Sequence, residues 1–464
     1  MCLLQGREMK IVGVVTLVMG LFLCLGFAGV RAQQGTSDVK VMTAGSNQTA
    51  AEPMSKGHGE PVTRRWVEQR WVLDNVIRSV GMDWDQPRSA YIAAPCGAEA
   101  SLDMVGIRQR VQKYADASPA FEAAARRREA RAKAADEAGE HVTARENYCI
   151  ATMFWGGAQW PIDENNEKNK FYNQRKRDCY NRYAKLADHR VEEVWIPLEG
   201  GKSLPGWFHL PPGYQGGRIP VVISIPGMDS FKELSVAMYG DRWLNRGIAV
   251  LAIDGPGQYE SAVLDIYFSM HAWAATGTAA VEWLIKRQEV DPARIGISGN
   301  SFGTFFATIA AANEPRIRAV ATLYTCFEPG FHSIFEEASP TFKMRFMYMS
   351  GFTNENEFDQ FRKSMTWEGQ AEKIRVPFLC VAGEADELSP MQYTEKLMKT
   401  IQSPKRLVVY QDSRHTVAGV PSVSLGPNPT TLVADWMLAT LNGKTFPSER
   451  WYVDATGRVT KTGY

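Results

Sequence analysis

The sequence predicts an α/β fold in which a doubly wound, mostly parallel sheet follows a separate helical segment. From residue 190 onward, short apolar runs alternate with amphipathic stretches. Such runs lack the polar alternation of half-exposed strands and are typical of parallel strands covered by helices on both faces. Before residue 189, apolar residues recur at steps of three and four, which indicates helices.

The composition excludes several classes of protein. Of the 464 residues, 45% are hydrophobic and 22% are charged, which is typical of a globular chain rather than a disordered or fibrous one. The 52 Lys and Arg residues are balanced by 51 Asp and Glu residues. Because nucleic acids are bound chiefly through accumulated positive charge, we expect no nucleic-acid partner. The expected partner is a small-molecule substrate, and a homodimer stays open as an alternative to a monomer.

Residues 1–32 have the pattern of a secretory signal peptide. Lys10 precedes an apolar run over residues 11–30, and Val30-Arg31-Ala32 resembles a cleavage site. The alternative is an uncleaved membrane anchor, because the run is long enough to cross a bilayer. Cleavage predicts a secreted or periplasmic protein whose mature form does not contact a membrane.

Two segments precede the predicted sheet. Residues 33–60 are rich in Gln, Gly, Ser and Thr and predict a flexible leader. Residues 61–189 predict a helical segment that is either a lid over a substrate pocket or a layer packed on the main domain. Its aromatic residues could line such a pocket, although aromatic residues at helical spacing are more often core. They are Tyr148, Phe154, Trp155, Trp160, Phe171 and Tyr172.

Residues 190–445 predict the α/β domain itself. The predicted strands are Val191–Pro197, Trp207–Pro211, Ile219–Ile225, Ile248–Ile253, Arg294–Ser298, Ile317–Tyr324, Val376–Ala382 and Arg406–Gln411. The predicted helices between them are Glu233–Asn245, Trp273–Arg287, Gly303–Ala312, Met391–Ile401 and Thr430–Leu441. Residues 327–370, after the sixth strand, predict a helical insertion over the carboxyl edge of the sheet, where α/β proteins bind ligands. Residues 446–464 are predicted to be a C-terminal tail.

A serine lies at the turn between a predicted strand and a predicted helix. Gly299-Asn300-Ser301-Phe302-Gly303 matches the pattern G-x-S-x-G, with strand Arg294–Ser298 before it and helix Gly303–Ala312 after it. A nucleophile on such a sharp turn needs small neighbours, because its strained backbone leaves no room for side chains. The alternative is a tight turn that contains an incidental serine. We predict that Ser301 is a nucleophile.

The partners of such a serine follow it along the chain. A serine hydroxyl needs a base to remove its proton and an acid to orient that base. Asp386 follows the strand Val376–Ala382, and His415 follows the strand Arg406–Gln411, which reproduces the chain order Ser, Asp, His. We therefore predict a catalytic triad of Ser301, Asp386 and His415. Alternative acids are Glu384, Glu387 and Asp412.

Two backbone N–H groups are predicted to form an oxyanion hole. One belongs to Phe302, directly after the nucleophile, and the other to Met228, in the loop after strand Ile219–Ile225. Gly227 would allow the backbone of that loop to approach closely. Residues 254–258, with the sequence DGPGQ, could suggest a phosphate-binding loop, but they lack its spacing and its Lys, so we interpret them as a strand-exit turn.

The cysteines and histidines give no sign of a metal or a cofactor. The sequence has no C-x-x-C pair, and its histidines lack the spacing of metal ligands. We therefore expect no cofactor and no metal. Cys149 and Cys179 lie on neighbouring predicted helices and could pair in an oxidising compartment.

These motifs resemble one group of α/β hydrolases. The resemblance rests on Pro226–Glu233, the turn at residues 254–258, the Gly299–Gly303 segment with Glu314-Pro315-Arg316 after it, and Gly383–Asp386. The group contains the 2,6-dihydroxypseudooxynicotine hydrolases, the fungal heptaketide hydrolyases and the fermentation-respiration switch esterase-like proteins. The resemblance implies the triad named above and the hydrolysis of an ester or of an acyl carbon–carbon bond.

The expected activity is that of a serine hydrolase acting on an ester with a medium-sized, partly aromatic acyl group. An alternative is hydrolysis of a C–C bond in a 1,3-dicarbonyl compound, and further alternatives are a secreted peptidase or an inactive binding protein. We predict that Asp229 contacts substrate. Glu328 and His332, at the base of the insertion, could assist the leaving carbon or could simply anchor the insertion.

Overall fold

The computed structural model describes residues 63–464. The predicted signal peptide, at residues 1–32, and the predicted leader, at residues 33–60, lie outside the described residues. Within the described part of the chain, no helix has the length and apolar character needed to cross a membrane.

The part of the chain before the sheet is a layer of six α-helices, called the helical layer below. They are α1 (Arg64–Val80), α2 (Arg88–Ala93), α3 (Ala98–Arg110), α4 (Ala117–Glu137), α5 (His141–Gln159) and α6 (Glu167–Leu186). Two adjacent glycines let α5 pack closely on its neighbours. A Cβ on Gly157 would lie 2.6 Å from the ring of Phe121 in α4, and one on Gly156 would lie 2.2 Å from the ring of Phe231. Since Phe231 belongs to the loop that contains Met228, α5 packs directly against that loop.

Ten strands form one mixed, mostly parallel sheet. They are β1 (Val191–Pro197), β2 (Ser203–His209), β3 (Ile219–Ile225), β4 (Ala249–Ile253), β5 (Val290–Asn300), β6 (Ala319–Leu323), β7 (Phe378–Gly383), β8 (Lys405–Tyr410), β9 (Glu449–Val453) and β10 (Val459–Gly463). Their order across the sheet is β1-β2-β4-β3-β5-β6-β7-β8-β9-β10. The strands from β4 to β9 in that order run parallel, and β1, β2 and β10 extend the edges in antiparallel pairs.

Helices cover both faces of the sheet, as the continuous apolar strands predict. Along β3, Val221 and Ile223 join one hydrophobic core, whereas Val222 between them joins the core on the opposite face. The remaining helices are α7 (Tyr259–Val263), α8 (Met270–Leu284), α9 (Phe302–Asn313), α10 (Pro340–Met349), α11 (Glu355–Phe361), α12 (Met391–Thr400), α13 (Pro421–Leu425) and α14 (Pro429–Leu441). Helices α8 and α9 contribute to the first core and α14 to the second. The insertion after β6 is helical and contains α10 and α11.

Two stretches differ from the predicted secondary structure. The predicted helix Glu233–Asn245 is wrong, because short 3₁₀ turns occur there instead, at Lys232–Ser235 and Leu244–Arg246. Asp241 accounts for the difference: its carboxylate accepts hydrogen bonds from the N–H groups of Ala237, Trp243 and Leu244, so it stabilises a turn in place of a helix.

The predicted C-terminal tail is also corrected. Residues 446–464 supply β9 and β10, and β9 pairs in parallel with β8. The sheet therefore continues beyond residue 445. Both strands are partly exposed and contain charged or polar residues, so they lack the long apolar run that identifies β3 and β5 in the sequence.

Candidate active site

Ser301 occupies a strained turn between β5 and α9. Its backbone has φ 54° and ψ −127°, a conformation that residues with a side chain rarely adopt. The flanking glycines are required by space, since a Cβ on Gly299 would lie 2.0 Å from the carbonyl oxygen of Gly303, and one on Gly303 would lie 2.4 Å from that of Ile225. The turn therefore has the geometry predicted for a nucleophile between a strand and a helix.

Ser301, His415 and Asp386 form one hydrogen-bonded row. The Oγ of Ser301 lies 2.9 Å from Nε2 of His415. The other ring nitrogen, Nδ1, lies 3.1 Å from Oδ1 and 3.0 Å from Oδ2 of Asp386. The three side chains come from loops after β5, β7 and β8, which are parallel strands, so their carboxyl ends meet at the same edge of the sheet.

Asp386 is fixed in place by its own turn. Its Oδ1 accepts hydrogen bonds from the backbone N–H groups of Leu388 and Ser389, both at 2.9 Å. Burial lowers the pKa of His415, but the charge and the hydrogen bond of Asp386, with a smaller contribution from the charge of Glu387, raise it by more, so the net shift is upward. The carboxylate therefore stabilises the protonated imidazole that proton transfer from Ser301 would create.

The alternative acids are engaged elsewhere. Glu384 accepts hydrogen bonds from the hydroxyl of Tyr452 and from the N–H of Asp412. Glu387 accepts one from the backbone N–H of His415 at 3.1 Å, which fixes the main chain of the histidine and not its ring. Of the acids considered, Asp386 is the one that contacts the imidazole.

The two predicted oxyanion donors flank Ser301. Phe302 begins α9, so its N–H is among those that have no acceptor within the helix. The loop after β3 approaches from the other side: a Cβ on Gly227 would lie 3.0 Å from Cβ and 3.6 Å from Oγ of Ser301. Within residues 63–464, the N–H of Met228 has no protein acceptor. Among the described residues, neither N–H is therefore committed to another acceptor, as an oxyanion donor requires.

The residues predicted to bind substrate have three different environments. Asp229 accepts a hydrogen bond from Arg88 of α2 at 2.7 Å. Glu328 is buried, and its carboxylate accepts the N–H of Ser333 at 2.7 Å, which fits the anchoring role considered for it. His332 is mostly exposed and lies 3.5 Å from Glu337. Of these three, Asp229 lies beside the predicted oxyanion donor, whereas His332 faces the surface.

Aromatic side chains of the insertion surround the residue that follows the nucleophile. The ring of Phe302 lies 4.6 Å from that of Phe331 and 4.8 Å from that of Phe346, measured between centroids, and Phe335 stacks on it at 6.0 Å. The thiol of Cys326 lies 3.8 Å from Oγ of Ser301. Burial and the nearby Asp386 raise the pKa of this thiol well above its usual range, so Cys326 is uncharged beside the serine.

The aromatic residues of the helical layer are mainly core. Tyr148, Phe154, Trp155, Trp160 and Tyr172 are buried in one hydrophobic cluster, and Phe171 is partly exposed. Trp160 also stacks against the guanidinium of Arg88, with 4.2 Å between that group and the ring centroid.

The structure does not place Cys149 beside Cys179, the pairing that the sequence suggested. Cys149 faces Cys96 instead, with 2.8 Å between the two sulfur atoms. The reason is the rotation of α5, which points Cys149 toward the 3₁₀ turn at Ala94–Cys96.

Two residues near the site were missed by sequence reasoning. Arg88 is buried and binds Asp229 across 141 positions of the chain, a separation that no local pattern reveals. Gln258 contacts the loop of Met228, and it lies in the DGPGQ turn, for which the sequence predicts only a strand exit. The unusual DGPGQ sequence of that turn is the feature of the sequence that could have indicated a role for Gln258.

The chain is similar to known hydrolases. The family model for esterase FrsA-like proteins matches residues 101–365. The α/β hydrolase xenA of Xenoacremonium sinensis is 31% identical over 240 residues, which are 49% of this chain and 56% of that protein. The 2,6-dihydropseudooxynicotine hydrolase of Paenarthrobacter nicotinovorans is 27% identical over 280 residues, which are 60% of this chain and 71% of that protein. The chain spans about half the length of most of the curated relatives it matches.

Solved structures share the fold. The crystal structure of the 2,6-dihydroxy-pseudo-oxynicotine hydrolase superposes with a TM-score of 0.66 at 24% identity, over 77% of this chain and 97% of the other. AbyA5 superposes with a TM-score of 0.57 at 18% identity, over 76% of this chain and 98% of the other. The family model matches more than half of the sequence, and the chain therefore belongs to the esterase FrsA-like family of α/β hydrolases.

Proposed function

We propose that this protein is a serine hydrolase that cleaves an ester of a medium-sized, partly aromatic acyl group through an acyl-enzyme. The observation that carries the proposal is the row of hydrogen bonds from Ser301 Oγ to His415 and from His415 to Asp386, at 2.9 and 3.0 Å. A serine hydroxyl becomes an effective nucleophile when an oriented imidazole removes its proton, and this row supplies both the base and the group that orients it.

In the first half of the reaction, Ser301 Oγ attacks the ester carbonyl carbon while His415 Nε2 takes the hydroxyl proton. The carbonyl oxygen becomes negatively charged, and the N–H groups of Met228 and Phe302 donate hydrogen bonds to it. The C–O bond to the alcohol then breaks, and His415 returns its proton to the departing alkoxide. Asp386 stabilises the imidazolium between these two transfers.

In the second half, water hydrolyses the acyl-enzyme. His415 takes a proton from the water as its oxygen attacks the acyl carbon, and the same two N–H groups hold the negative oxygen. When the bond to Ser301 breaks, His415 protonates the serine, and the carboxylic acid leaves. The enzyme returns to its starting state, and one water molecule is consumed for each ester bond that is cleaved.

The substrate class is inferred from the side chains around the nucleophile. Phe331, Phe335 and Phe346 of the insertion cluster about Phe302, and the thiol of Cys326 near Ser301 is uncharged. Apolar and aromatic surroundings favour burial of an apolar acyl group.

We also propose that the protein is exported with residues 1–32 removed. The proposal rests on the basic residue, the apolar run and the small-residue exit of that segment. Sequencing of the mature N-terminus tests it: a start after Ala32 is expected, and a start before Ile11 would contradict removal.

Substrate profiling tests the activity. Purified protein is incubated with p-nitrophenyl acetate, butyrate and benzoate, and in parallel with benzoylacetone, a 1,3-diketone. We expect ester turnover by the wild type and its loss in Ser301→Ala. Diketone cleavage without ester turnover would assign C–C hydrolysis in place of esterase activity. A wild-type protein that turns over neither class would contradict the proposal.

A further inference from the structure

The turn and helix at residues 254–260 hold the loop that contains Met228. The hydroxyl of Tyr259 donates to the carbonyl oxygen of Asp229 at 3.2 Å, and Asp254 accepts the backbone N–H of Lys232 at 2.8 Å. The ammonium of Lys232 lies 2.5 Å from Glu260 and 3.3 Å from Asp254, and all three side chains are buried. The loop from Pro226 to Glu233 is therefore attached to this segment along its length.

Gln258 makes the contacts nearest to the nucleophile. Its side chain is fully buried, and its Nε2 donates to the carbonyl oxygen of Pro226 at 2.6 Å and to that of Gly227 at 3.2 Å. Its Oε1 accepts the N–H of Gly255 at 2.9 Å, which fixes the orientation of the amide. Every polar atom of this side chain is thus used in holding the turn and the loop together.

The contact with Gly227 determines where the N–H of Met228 points. The carbonyl of Gly227 and the N–H of Met228 belong to the same peptide group, which is planar and trans, so the two point in opposite directions. A donor that holds the carbonyl on one side of the loop thereby directs the N–H to the other side. The loop lies directly against the serine, since a Cβ on Gly227 would be 3.0 Å from Cβ and 3.6 Å from Oγ of Ser301.

We infer that Gln258 is a positioning residue that orients the Gly227–Met228 peptide for oxyanion binding. The inference rests on the proposed function, since it assigns how one of the two oxyanion donors is kept in place. Without the amide, the carbonyls of Pro226 and Gly227 would lose buried hydrogen bonds, and the peptide could rotate to find other donors. Rotation would turn the N–H of Met228 away from the developing negative charge.

Kinetics of Gln258→Met and Gln258→Glu test this role. The Met side chain is similar in length and has no donor, and Glu retains an acceptor for Gly255 but loses the donors to Pro226 and Gly227. Loss of one oxyanion donor lowers kcat by about 10²- to 10³-fold in serine hydrolases, so we expect a decrease in kcat of about 10- to 10³-fold. Because ground-state binding does not use this N–H, KM for p-nitrophenyl butyrate should change by less than about threefold.

A second measurement separates positioning from general packing. Phenylboronic acid forms a tetrahedral adduct with a catalytic serine and presents a negative oxygen to the oxyanion hole. We expect its inhibition constant to rise by about the factor by which kcat falls, because both depend on the same donor. Gln159→Met is the matched control, since Gln159 is equally buried and donates to Asn169 at 2.8 Å within the helical layer.

The outcomes are distinguishable. The inference is supported by a lower kcat and weaker boronate binding in the Gln258 variants, with KM nearly unchanged and with neither effect in Gln159→Met. It is overturned if both Gln258 variants keep wild-type kcat. It is also overturned if the loss of kcat in the Gln258 variants is no larger than the loss in a Gln159→Met protein whose melting temperature falls by the same amount. If Gln258→Met does not fold, Gln258→Glu decides. An inactive wild type would instead count against the proposed function.

Discussion

The backbone N–H of Ala385 donates a hydrogen bond to the carbonyl oxygen of Ser413 at 2.9 Å. Ala385 directly precedes Asp386, and Ser413 lies two residues before His415. This bond joins the turn after β7 to the loop after β8. It lies next to Asp386 and His415, whose side chains must stay in contact. The distance between the acid and the base is therefore set by the main chain of two loops as well as by their own hydrogen bond.

Gly383→Ala should separate those two loops. A Cβ at this position would lie 2.3 Å from the carbonyl oxygens of both Ser413 and Arg414, and backbone atoms cannot move aside as a flexible side chain can. We expect kcat to fall by at least about tenfold, because misplacement of a catalytic group by about 1 Å can cost 10²-fold. The measurement is ester hydrolysis at saturating substrate.

Gly106→Ala is the control for that variant. Gly106 lies inside α3 with open space around its Cα, and Ala is favoured over Gly within helices by about 0.5–1 kcal/mol. Wild-type kcat with equal or greater stability is expected. Equal activity losses in the two variants would show that the effect at Gly383 is not local.

Asp386→Asn should lower kcat for ester hydrolysis, and it should also lower the pKa of His415. His415 must be neutral to accept the serine proton, so activity is lost as the pH falls through its pKa, which Asp386 holds above the ordinary value of about 6.5. In the variant the charge of Asp386 is gone, while burial and the smaller effect of Glu387 remain, so the acidic limb of the profile of kcat/KM against pH should move to lower pH. We expect kcat to fall by about 10³- to 10⁴-fold. An unchanged acidic limb would argue against contact between the two groups in solution.

The sequence was sufficient to predict that Ser301, Asp386 and His415 come together, and to predict most of the sheet. Ser301 could be predicted because the strained turn has no space for side chains at residues 299 and 303. Both positions must therefore be glycine, and the resulting pattern can be read in the sequence. Asp386 and His415 could be predicted because continuous apolar strands reveal where each strand ends. Parallel strands then bring those ends to one edge.

Contacts between distant segments could not be predicted in this way. Arg88 and Asp229 pair because α2 packs against the loop after β3, and neither residue carries a local pattern that indicates the other. The false helix at Glu233–Asn245 has helical composition, but the capping bonds of Asp241 override that propensity. Tertiary context decided both cases.

Replacement of Arg88 by Met should destabilise the protein. The guanidinium is buried between Asp85 and Asp229 and stacks on Trp160. Its removal leaves the carboxylates of Asp85 and Asp229 without their cation in a largely buried setting, and breaking a buried pair in this way costs about 3–5 kcal/mol. Denaturant unfolding measures the loss. The exposed Arg64→Met is the control, with an expected change below about 0.5 kcal/mol, and equal losses in the two variants would contradict the account.

Export to an oxidising compartment should join Cys96 to Cys149. Their sulfur atoms lie 2.8 Å apart, and a thiol–disulfide oxidant would remove two electrons and two protons to form the bond. Mass spectrometry of unreduced peptides from exported protein should find this pair, with Cys179 unlinked. A link between Cys149 and Cys179, or only free thiols in exported protein, would contradict the expectation.

Covalent labelling of Ser301 tests the central claim most directly. Wild-type protein, Ser301→Ala and His415→Ala are treated with a fluorophosphonate, and the modified peptide is identified by mass spectrometry. The account predicts one adduct, located on Ser301, that is absent from Ser301→Ala and forms at least about 10³-fold more slowly in His415→Ala. A wild-type protein that remains unlabelled, or an adduct that persists in Ser301→Ala, would contradict it.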